Sequence, residues 1–204
     1  MCGGGKKKMN PNRYISKKLK MRRPEALPYT GHLSLATDRN LLAEIFCELG
    51  YKVGAEIGVM KGVYSEILLS KNPGLKLYCI DPWVSGQEDD GRGQWFLKHV
   101  SQRLAKYNFE IIRKLSKDAL LDIPDESLDF VYIDAMHDFD NVMFDIIEWS
   151  KKVRSGGMVS GHDFEYVYDV GVIQAVEGFT KGNNIRTWFV TREFPSSWFW
   201  IKSY

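Results

Sequence analysis

The last part of the chain, RTWFVTREFPSSWFWIK (Arg186–Lys202), contains two apolar stretches joined by a short link, Arg192–Ser196. Both stretches are rich in aromatic and β-branched residues, which favour strands over helices. No helical pattern lies between them. We therefore predict two strands, Arg186–Thr191 and Ser197–Lys202, that pair as an antiparallel hairpin.

Upstream of this hairpin, short apolar runs alternate with helical patterns along the chain. Such alternation predicts parallel strands joined by crossover helices, which is an α/β architecture with helices on both faces of the sheet. The predicted parallel strands are Val53–Ile57, Leu75–Ile80, Phe109–Arg113, Leu128–Ile133 and Met158–Ser160. Together with the hairpin, they give a sheet of seven strands.

Residues 1–29 differ in composition from the rest of the chain. Residues 1–24 carry nine of the 28 Lys and Arg residues and no acidic residue, although the net charge of the whole chain is only +2. We predict a basic, disordered tail over residues 1–29, followed by one domain over 30–204. The first helix of this domain is predicted to open with a cap in Thr37-Asp38-Arg39 and to end at Gly50. Because a basic tail can neutralise phosphates, a nucleic-acid partner stays open as an alternative.

The sequence shows neither a secretory signal nor an apolar stretch of membrane-spanning length. We therefore expect a cytoplasmic protein with no membrane partner. Both a monomer and a homo-oligomer are compatible with the sequence.

The first predicted strand runs into a turn with the pattern Glu56-x-Gly58-x-x-x-Gly62. Gly58 allows a ligand to approach the backbone closely. The carboxylate of Glu56 disfavours an anionic phosphate but suits a cofactor with a sulfonium and an amino group. The glycine fingerprints of nicotinamide sites and of P-loops are absent. An ordinary strand-to-helix turn is the alternative interpretation.

Polar residues follow the second and third predicted strands. Asp81 ends the second strand, where a carboxylate can accept hydrogen bonds from the two hydroxyls of a ribose. Beyond the third strand, Ser116 or Asp118 is expected near the edge of an adenine ring. Each of these residues has an alternative role as the cap of a turn or helix.

Two more polar clusters follow the fourth and fifth strands: Asp134 with His137, and His162 with Asp163. Because ligands of open α/β sheets bind beside the carboxyl ends of the strands, we expect these side chains to converge. Two carboxylates and an imidazole could hold a divalent cation such as Mg²⁺, or one histidine could act as a general base. A histidine that only packs or caps a helix is the alternative.

With these residues in view, the chain resembles the class I S-adenosylmethionine-dependent methyltransferases, and among them the sugar and macrolide O-methyltransferases. The resemblance covers residues 35–204 and rests on Ile133-Asp134-Ala135-Met136-His137 and on Gly156–Asp163, GGMVSGHD. It implies a Rossmann-like sheet of five parallel strands plus a C-terminal antiparallel hairpin. A nicotinamide-binding domain would instead continue with parallel units.

The resemblance also implies S-adenosylmethionine as the cofactor and a small hydroxylated, sugar-like molecule as the acceptor. The implied cofactor-binding residues are Glu56, Gly58, Gly62, Asp81, Ser116, Asp118 and Asp134. The implied catalytic residues are Asp134, His137 and His162, with Asp134 and Asp163 as ligands of Mg²⁺ in metal-dependent relatives.

The sequence departs from the family pattern at His162, where metal-dependent relatives carry an acid. An imidazole is a poorer ligand for Mg²⁺ than a carboxylate is. Two other functions remain as alternatives: a nucleic-acid methyltransferase that uses the basic tail, and a catalytically silent module that keeps the fold. The motif by which base N-methyltransferases hold an amino group is absent.

Overall fold

One mixed sheet organises the chain. The computed structural model describes residues 10–18, 33–35, 38–84, 91–166 and 171–203. The strands are β1 (Leu33–Leu35), β2 (Val53–Ile57), β3 (Lys76–Ile80), β4 (Phe109–Ile112), β5 (Leu128–Ile133), β6 (Val153–Gly161), β7 (Phe189–Thr191) and β8 (Trp198–Ile201). The helices are α1 (Pro11–Lys18), α2 (Arg39–Leu49), α3 (Val63–Lys71), α4 (Arg92–Leu104), α5 (Ser116–Ala119), α6 (Phe139–Lys152) and α7 (Val172–Gly182).

The strand order across the sheet is β1-β7-β8-β6-β5-β2-β3-β4. Strands β2 to β6 pair only in parallel with one another, while β8 is antiparallel to both β6 and β7. This confirms the five parallel strands and the C-terminal hairpin that the sequence predicts. The structure adds β1, which pairs in parallel with β7 at the sheet edge. Three residues are too short for a recognisable alternation, so the sequence does not predict this strand.

Apolar side chains cover both faces of the central strands, as parallel sheets require. In β3, Leu77 and Cys79 pack under the helices α1 to α4, whereas Ile80 faces α5 to α7. In β5, Tyr132 and Ile133 divide between the two faces in the same way. The two apolar clusters fix the sheet between helical layers and so confirm the predicted helices on both faces.

Helix α2 begins within the predicted opening stretch, with Asp38 as its cap, and ends at the predicted Gly50. The carboxylate of Asp38 accepts hydrogen bonds from the backbone N–H groups of Asn40 and Leu41, which caps the first turn. Gly50 adopts a left-handed backbone with φ 74°, the conformation that ends many helices.

Helix α1 lies inside the segment that the sequence analysis assigns to a disordered tail. Its Ile15 is fully buried in the cluster that contains Leu42 and Phe46, and Lys18 forms a 2.7 Å ion pair with Glu48. The expectation of disorder is therefore wrong for residues 11–18. The remainder of the predicted tail lies outside the described residues, apart from Asn10.

Among the helices of the described residues, none combines the length and the apolar character needed to cross a membrane.

Candidate active site

A cavity of about 960 Å³ opens at the carboxyl edge of β2, β3 and β5. The strand register explains which residues meet there. Ile57 of β2 pairs with Ile80 of β3 and with Ile133 of β5, so the residue that follows each strand stands beside the others. Ile133 also pairs with Gly161 of β6, which places the two predicted polar clusters side by side.

The predicted site residues divide into two groups. The cavity is lined by Glu56, Gly58, Asp81, Ser116, Asp134 and His137. Four others lie outside the cavity lining: Gly62, Asp118, His162 and Asp163. Of these four, His162 and Asp163 stand behind His137, and Gly62 starts helix α3 with φ 67°. Asp118 is exposed to solvent, so the structure does not bring it to the site.

Gly58 is the point of closest approach between the β2 and β5 turns. Its φ is +88°, and a Cβ atom at this position would stand 2.0 Å from the carbonyl oxygen of Asp134. The N–H of Asp134 donates to the carbonyl of Ile57 at 2.7 Å, and the N–H of Gly58 donates to Ile80 at 2.9 Å. Glycine is required here both by the backbone conformation and by the lack of space.

The carboxylate of Asp81 stabilises the same turn through hydrogen bonds to backbone N–H groups. One carboxylate oxygen accepts from the N–H groups of Val59 and Met60, both at 2.9 Å, and the other accepts from Trp83 at 2.6 Å. Asp81 therefore orders the turn between β2 and α3, Gly58–Gly62, which we call the glycine turn, and it also faces the cavity. Each carboxylate oxygen has more than one lone pair, so the bonds to the backbone leave capacity for a ligand hydroxyl.

Glu56 is a buried acid at the floor of the cavity, with 2% of its surface exposed. Burial raises the pKa of Glu56 to about 8, although the hydroxyl of Ser65 donates a hydrogen bond to the carboxylate and opposes the shift. The structure thus presents a carboxyl group whose charged form lacks a cationic partner at hydrogen-bonding distance among the described residues. A ligand that brings a positive charge would stabilise the ionised form.

Arg39 also lines the cavity, although no sequence motif marks it. Its guanidinium lies 5.2 Å from the centre of the Tyr64 ring and 3.9 Å from a carboxylate oxygen of Asp134. Arg39 opens helix α2, far from the strand-end motifs in sequence. A lone basic residue after a helix cap carries no motif, which is why sequence reasoning misses it.

Two histidines and two aspartates form a compact cluster at one end of the cavity. His137 Nε2 lies 3.1 Å from Asp163 Oδ2 and 3.7 Å from Asp134 Oδ1. His162 Nδ1 lies 3.3 Å from the same oxygen of Asp163 and 3.9 Å from Asp134 Oδ1. The side chain of His137 is 39% exposed, while that of His162 is only 8% exposed. His137 is thus the histidine that a ligand can reach.

The charges of this cluster shift the pKa values of its members. The carboxylate of Asp134, supported by that of Asp163, raises the pKa of His137 above its ordinary value despite partial burial. Burial acts to raise the pKa of Asp163, but the neighbouring His162 and His137 outweigh it, so the pKa of Asp163 is lowered. Asp163 therefore stays ionised and stabilises a protonated His137.

Ser116 reaches the other end of the cavity, where it contacts Asp145 of helix α6. The Ser116 hydroxyl donates a hydrogen bond to Asp145 Oδ1 and accepts one of 2.8 Å from the Trp149 indole N–H. Asp145 is only 3% exposed. Sequence reasoning misses it because it lies within a regular amphipathic helix, where a single acid carries no signal.

The comparison with known protein families finds one match for this chain. Residues 55–164, slightly more than half of the chain, match the model of a family described as a methyltransferase domain. No curated protein sequence is significantly similar to the chain.

Solved structures similar to this chain share its fold at low sequence identity. The O-methyltransferase from Bacillus cereus, in complex with S-adenosylhomocysteine, is 15% identical, with a TM-score of 0.60 over 93% of this chain and 96% of the other. The O-methyltransferase TomG from Streptomyces achromogenes, involved in tomaymycin synthesis and solved with S-adenosylmethionine, is 16% identical, with a TM-score of 0.61 over 98% and 92%. An rRNA methylase from Streptococcus thermophilus is 15% identical, with a TM-score of 0.54 over 75% and 87%.

Proposed function

This chain belongs to the family of methyltransferase domains, and we propose that it methylates a hydroxyl group of a small, sugar-like acceptor with S-adenosylmethionine. It is a class I S-adenosylmethionine-dependent methyltransferase, because the family match and the strand order both indicate this class. The position of His137 carries the finer proposal. This imidazole lines the same cavity as the glycine turn and is backed by two carboxylates.

We place the cofactor along the glycine turn between β2 and α3. The open backbone at Gly58 lets the cofactor lie against the turn, and Asp81 accepts from a ribose hydroxyl. At the methionine end, Glu56 receives the ammonium group and Arg39 receives the carboxylate. Opposite charges at this end of the cavity complement the zwitterion of an amino acid.

In the proposed reaction, the acceptor oxygen attacks the methyl carbon of the sulfonium in line with the breaking carbon–sulfur bond. The bonding electrons pass to sulfur, which leaves as the neutral thioether of S-adenosylhomocysteine. Nε2 of His137 is buried, lies 3.1 Å from the Asp163 carboxylate and makes no hydrogen bond with any described residue, so we assign the proton to Nε2 on the basis of this nearby charge. In this assignment Nδ1 accepts the proton of the acceptor hydroxyl. Asp134 and Asp163 stabilise the imidazolium that forms. His162 is a positioning residue that holds Asp163.

A divalent cation is the other means of activating a hydroxyl. Asp134, His162 and Asp163 each offer one ligand atom, and these atoms lie within 4.8 Å of one another. Mg²⁺ prefers a shell of oxygen ligands, whereas one of these three atoms is an imidazole nitrogen. Oδ2 of Asp163 also already faces both histidine rings. These residues fit Mg²⁺ poorly, and no step of the proposal uses it.

The test is a methyl-transfer assay with radiolabelled S-adenosylmethionine and a panel of acceptors: glycosylated small molecules, nucleotide sugars, catechols and RNA. The variants are His137→Ala and, as a matched control, His99→Ala, since His99 is a partly exposed histidine of α4 outside the cavity lining. Each reaction is run with and without EDTA.

We expect label in a small hydroxylated acceptor with wild type and His99→Ala, with or without EDTA. His137→Ala should lose about 10²- to 10⁴-fold in rate, the usual contribution of a general base, while its affinity for S-adenosylhomocysteine stays unchanged. Label in RNA alone would favour the nucleic-acid alternative. Full activity of His137→Ala would show that His137 is not the base. Loss of turnover in EDTA would show that the reaction requires a divalent cation.

A further inference from the structure

Asp145 is a buried carboxylate in the cavity that the proposed reaction does not use. It lies in the second turn of α6, and its Oδ1 accepts the only proton that the Ser116 hydroxyl can donate. Its Oδ2 accepts no hydrogen bond from any residue that the structure describes. Asp145 lines the cavity and is only 3% exposed, so its unpartnered carboxylate oxygen requires a donor from water or from a ligand.

The location of Asp145 relates to the rest of the cofactor. The acceptor end of the cavity is marked by His137, and Asp81 marks the ribose at the end of β3. Strand β4 flanks β3 on the side away from β2, and Ser116 follows β4. A cofactor with its methyl group at His137 and its ribose at Asp81 therefore directs its base toward Ser116 and Asp145.

We propose that Asp145 Oδ2 accepts a hydrogen bond from the exocyclic amino group of the cofactor's adenine and so selects adenine over hypoxanthine. This inference rests on the proposed use of S-adenosylmethionine. Adenine carries a donor at this position, whereas hypoxanthine carries a carbonyl oxygen that the carboxylate repels. The apolar side chains of Ile80, Leu115 and Phe144 line the cavity nearby and can contact the faces of the ring.

The other polar groups nearby are less suited to this role, since Lys117 can only donate and both Asp140 and Asn141 are exposed. The proton of the Ser116 hydroxyl is already donated to Asp145, so that hydroxyl does not donate to the ring. Asp118 is exposed and lies outside the cavity lining. Burial raises the pKa of Asp145 to about 6, with Ser116 acting in the opposite direction, so the carboxylate is mostly ionised and an acceptor at pH 7.5.

The test is calorimetric titration at pH 7.5 with S-adenosylhomocysteine and with S-inosylhomocysteine, in which hypoxanthine replaces adenine. The proteins are wild type, Asp145→Asn and Asp145→Ser. Glu148→Gln is the matched control, because it removes one acid from the same helix at a position that pairs with Lys151 on the surface.

Wild type and Glu148→Gln should bind the adenine ligand about 10- to 100-fold more tightly, the usual effect of leaving a buried polar group mispaired. In Asp145→Asn the side-chain amide can donate to the hypoxanthine carbonyl, so the preference should fall to within about 3-fold, and Asp145→Ser should show the same fall. Equal binding of both ligands by wild type, or a preference retained in a folded Asp145 variant, would overturn the inference. Failure of wild type to bind either ligand would instead reject the proposed function.

Discussion

The Gly58→Ala substitution tests whether the glycine turn holds the β5 turn in place. The added Cβ would lie 2.0 Å from the Asp134 carbonyl oxygen and 2.8 Å from the Ala135 Cα. Since non-bonded atoms prefer about 3.5 Å, the β5 turn must retreat by roughly 1 Å or more. We expect about 1–2 kcal/mol from the left-handed backbone and about 1–3 kcal/mol from the overlap.

Gly74→Ala is the matched control for this prediction. Gly74 has a similar φ of +82°, but a Cβ there would meet only Lys52 Nζ, at 4.0 Å. Both variants suffer the backbone penalty, and only Gly58→Ala suffers the overlap. Urea denaturation should therefore place Gly58→Ala about 1–3 kcal/mol below Gly74→Ala in free energy of unfolding, at equal m-value.

The displacement should also separate Asp134 from the rest of the site. A shift of about 1 Å can reduce an enzymatic rate by about 100-fold, so turnover and cofactor affinity should fall in Gly58→Ala but not in Gly74→Ala. Equal free energies of unfolding for the two variants would refute the close approach. Unchanged cofactor affinity in Gly58→Ala would refute the role of the turn in binding.

Three further predictions concern single side chains. Carboxylates raise the pKa of His137, and a general base acts in its neutral form, so kcat/KM should rise with pH through a pKa above the usual histidine value. Asp134→Asn should move this rising part of the pH profile to lower pH. A rising part that stays at the same pH in Asp134→Asn would contradict the prediction. Because the pKa of Glu56 is about 8 without ligand, binding of the cationic cofactor at pH 7 should release close to one proton. The release should appear as a dependence of the binding heat on the ionisation enthalpy of the buffer, and Glu56→Gln should abolish it. A binding heat of wild type that is the same in every buffer would argue against Glu56 as the ammonium site. Ile15→Ala should lower the free energy of unfolding by about 2–5 kcal/mol, as expected for a packed core residue, and an unchanged urea midpoint would show that α1 does not pack on the domain.

Most of the fold could be predicted from the sequence because its signals are local. The strands β2 and β5 coincide with the predicted runs, and Asp38 and Gly50 cap α2 through their own side-chain and backbone chemistry. The elements that were missed are held by distant contacts. Helix α1 is short and strongly polar, and it is held by the burial of Ile15 in the core and by the ion pair of Lys18 with Glu48 of α2.

The site could be predicted only where its residues end strands. Gly58, Asp81, Asp134 and His137 each follow a strand or belong to the turn after it, and parallel pairing brings them together. Arg39 and Asp145 reach the cavity from helices, whose orientation depends on packing and not on a local motif. Asp118 was expected near the adenine for its position after β4, but the short helix α5 turns it to solvent.

Asp81 requires care in any test of cofactor binding. Removal of its carboxylate would leave the N–H groups of Val59, Met60 and Trp83 without their acceptor. Such a loss costs about 1–3 kcal/mol for each buried donor, whatever binds in the cavity. Asp81→Asn keeps one acceptor oxygen and the shape of the side chain, so it separates ligand contacts from the order of the turn better than Asp81→Ala does.

The most direct test of the central claim is calorimetric titration of wild type with S-adenosylmethionine and S-adenosylhomocysteine, with Asp81→Asn beside it. We predict saturable binding of both ligands to wild type with one site per chain, weakened in Asp81→Asn while the fold is unchanged. Absence of binding by folded wild-type protein would contradict the assignment of the cavity to this cofactor and would favour a silent module with the same fold.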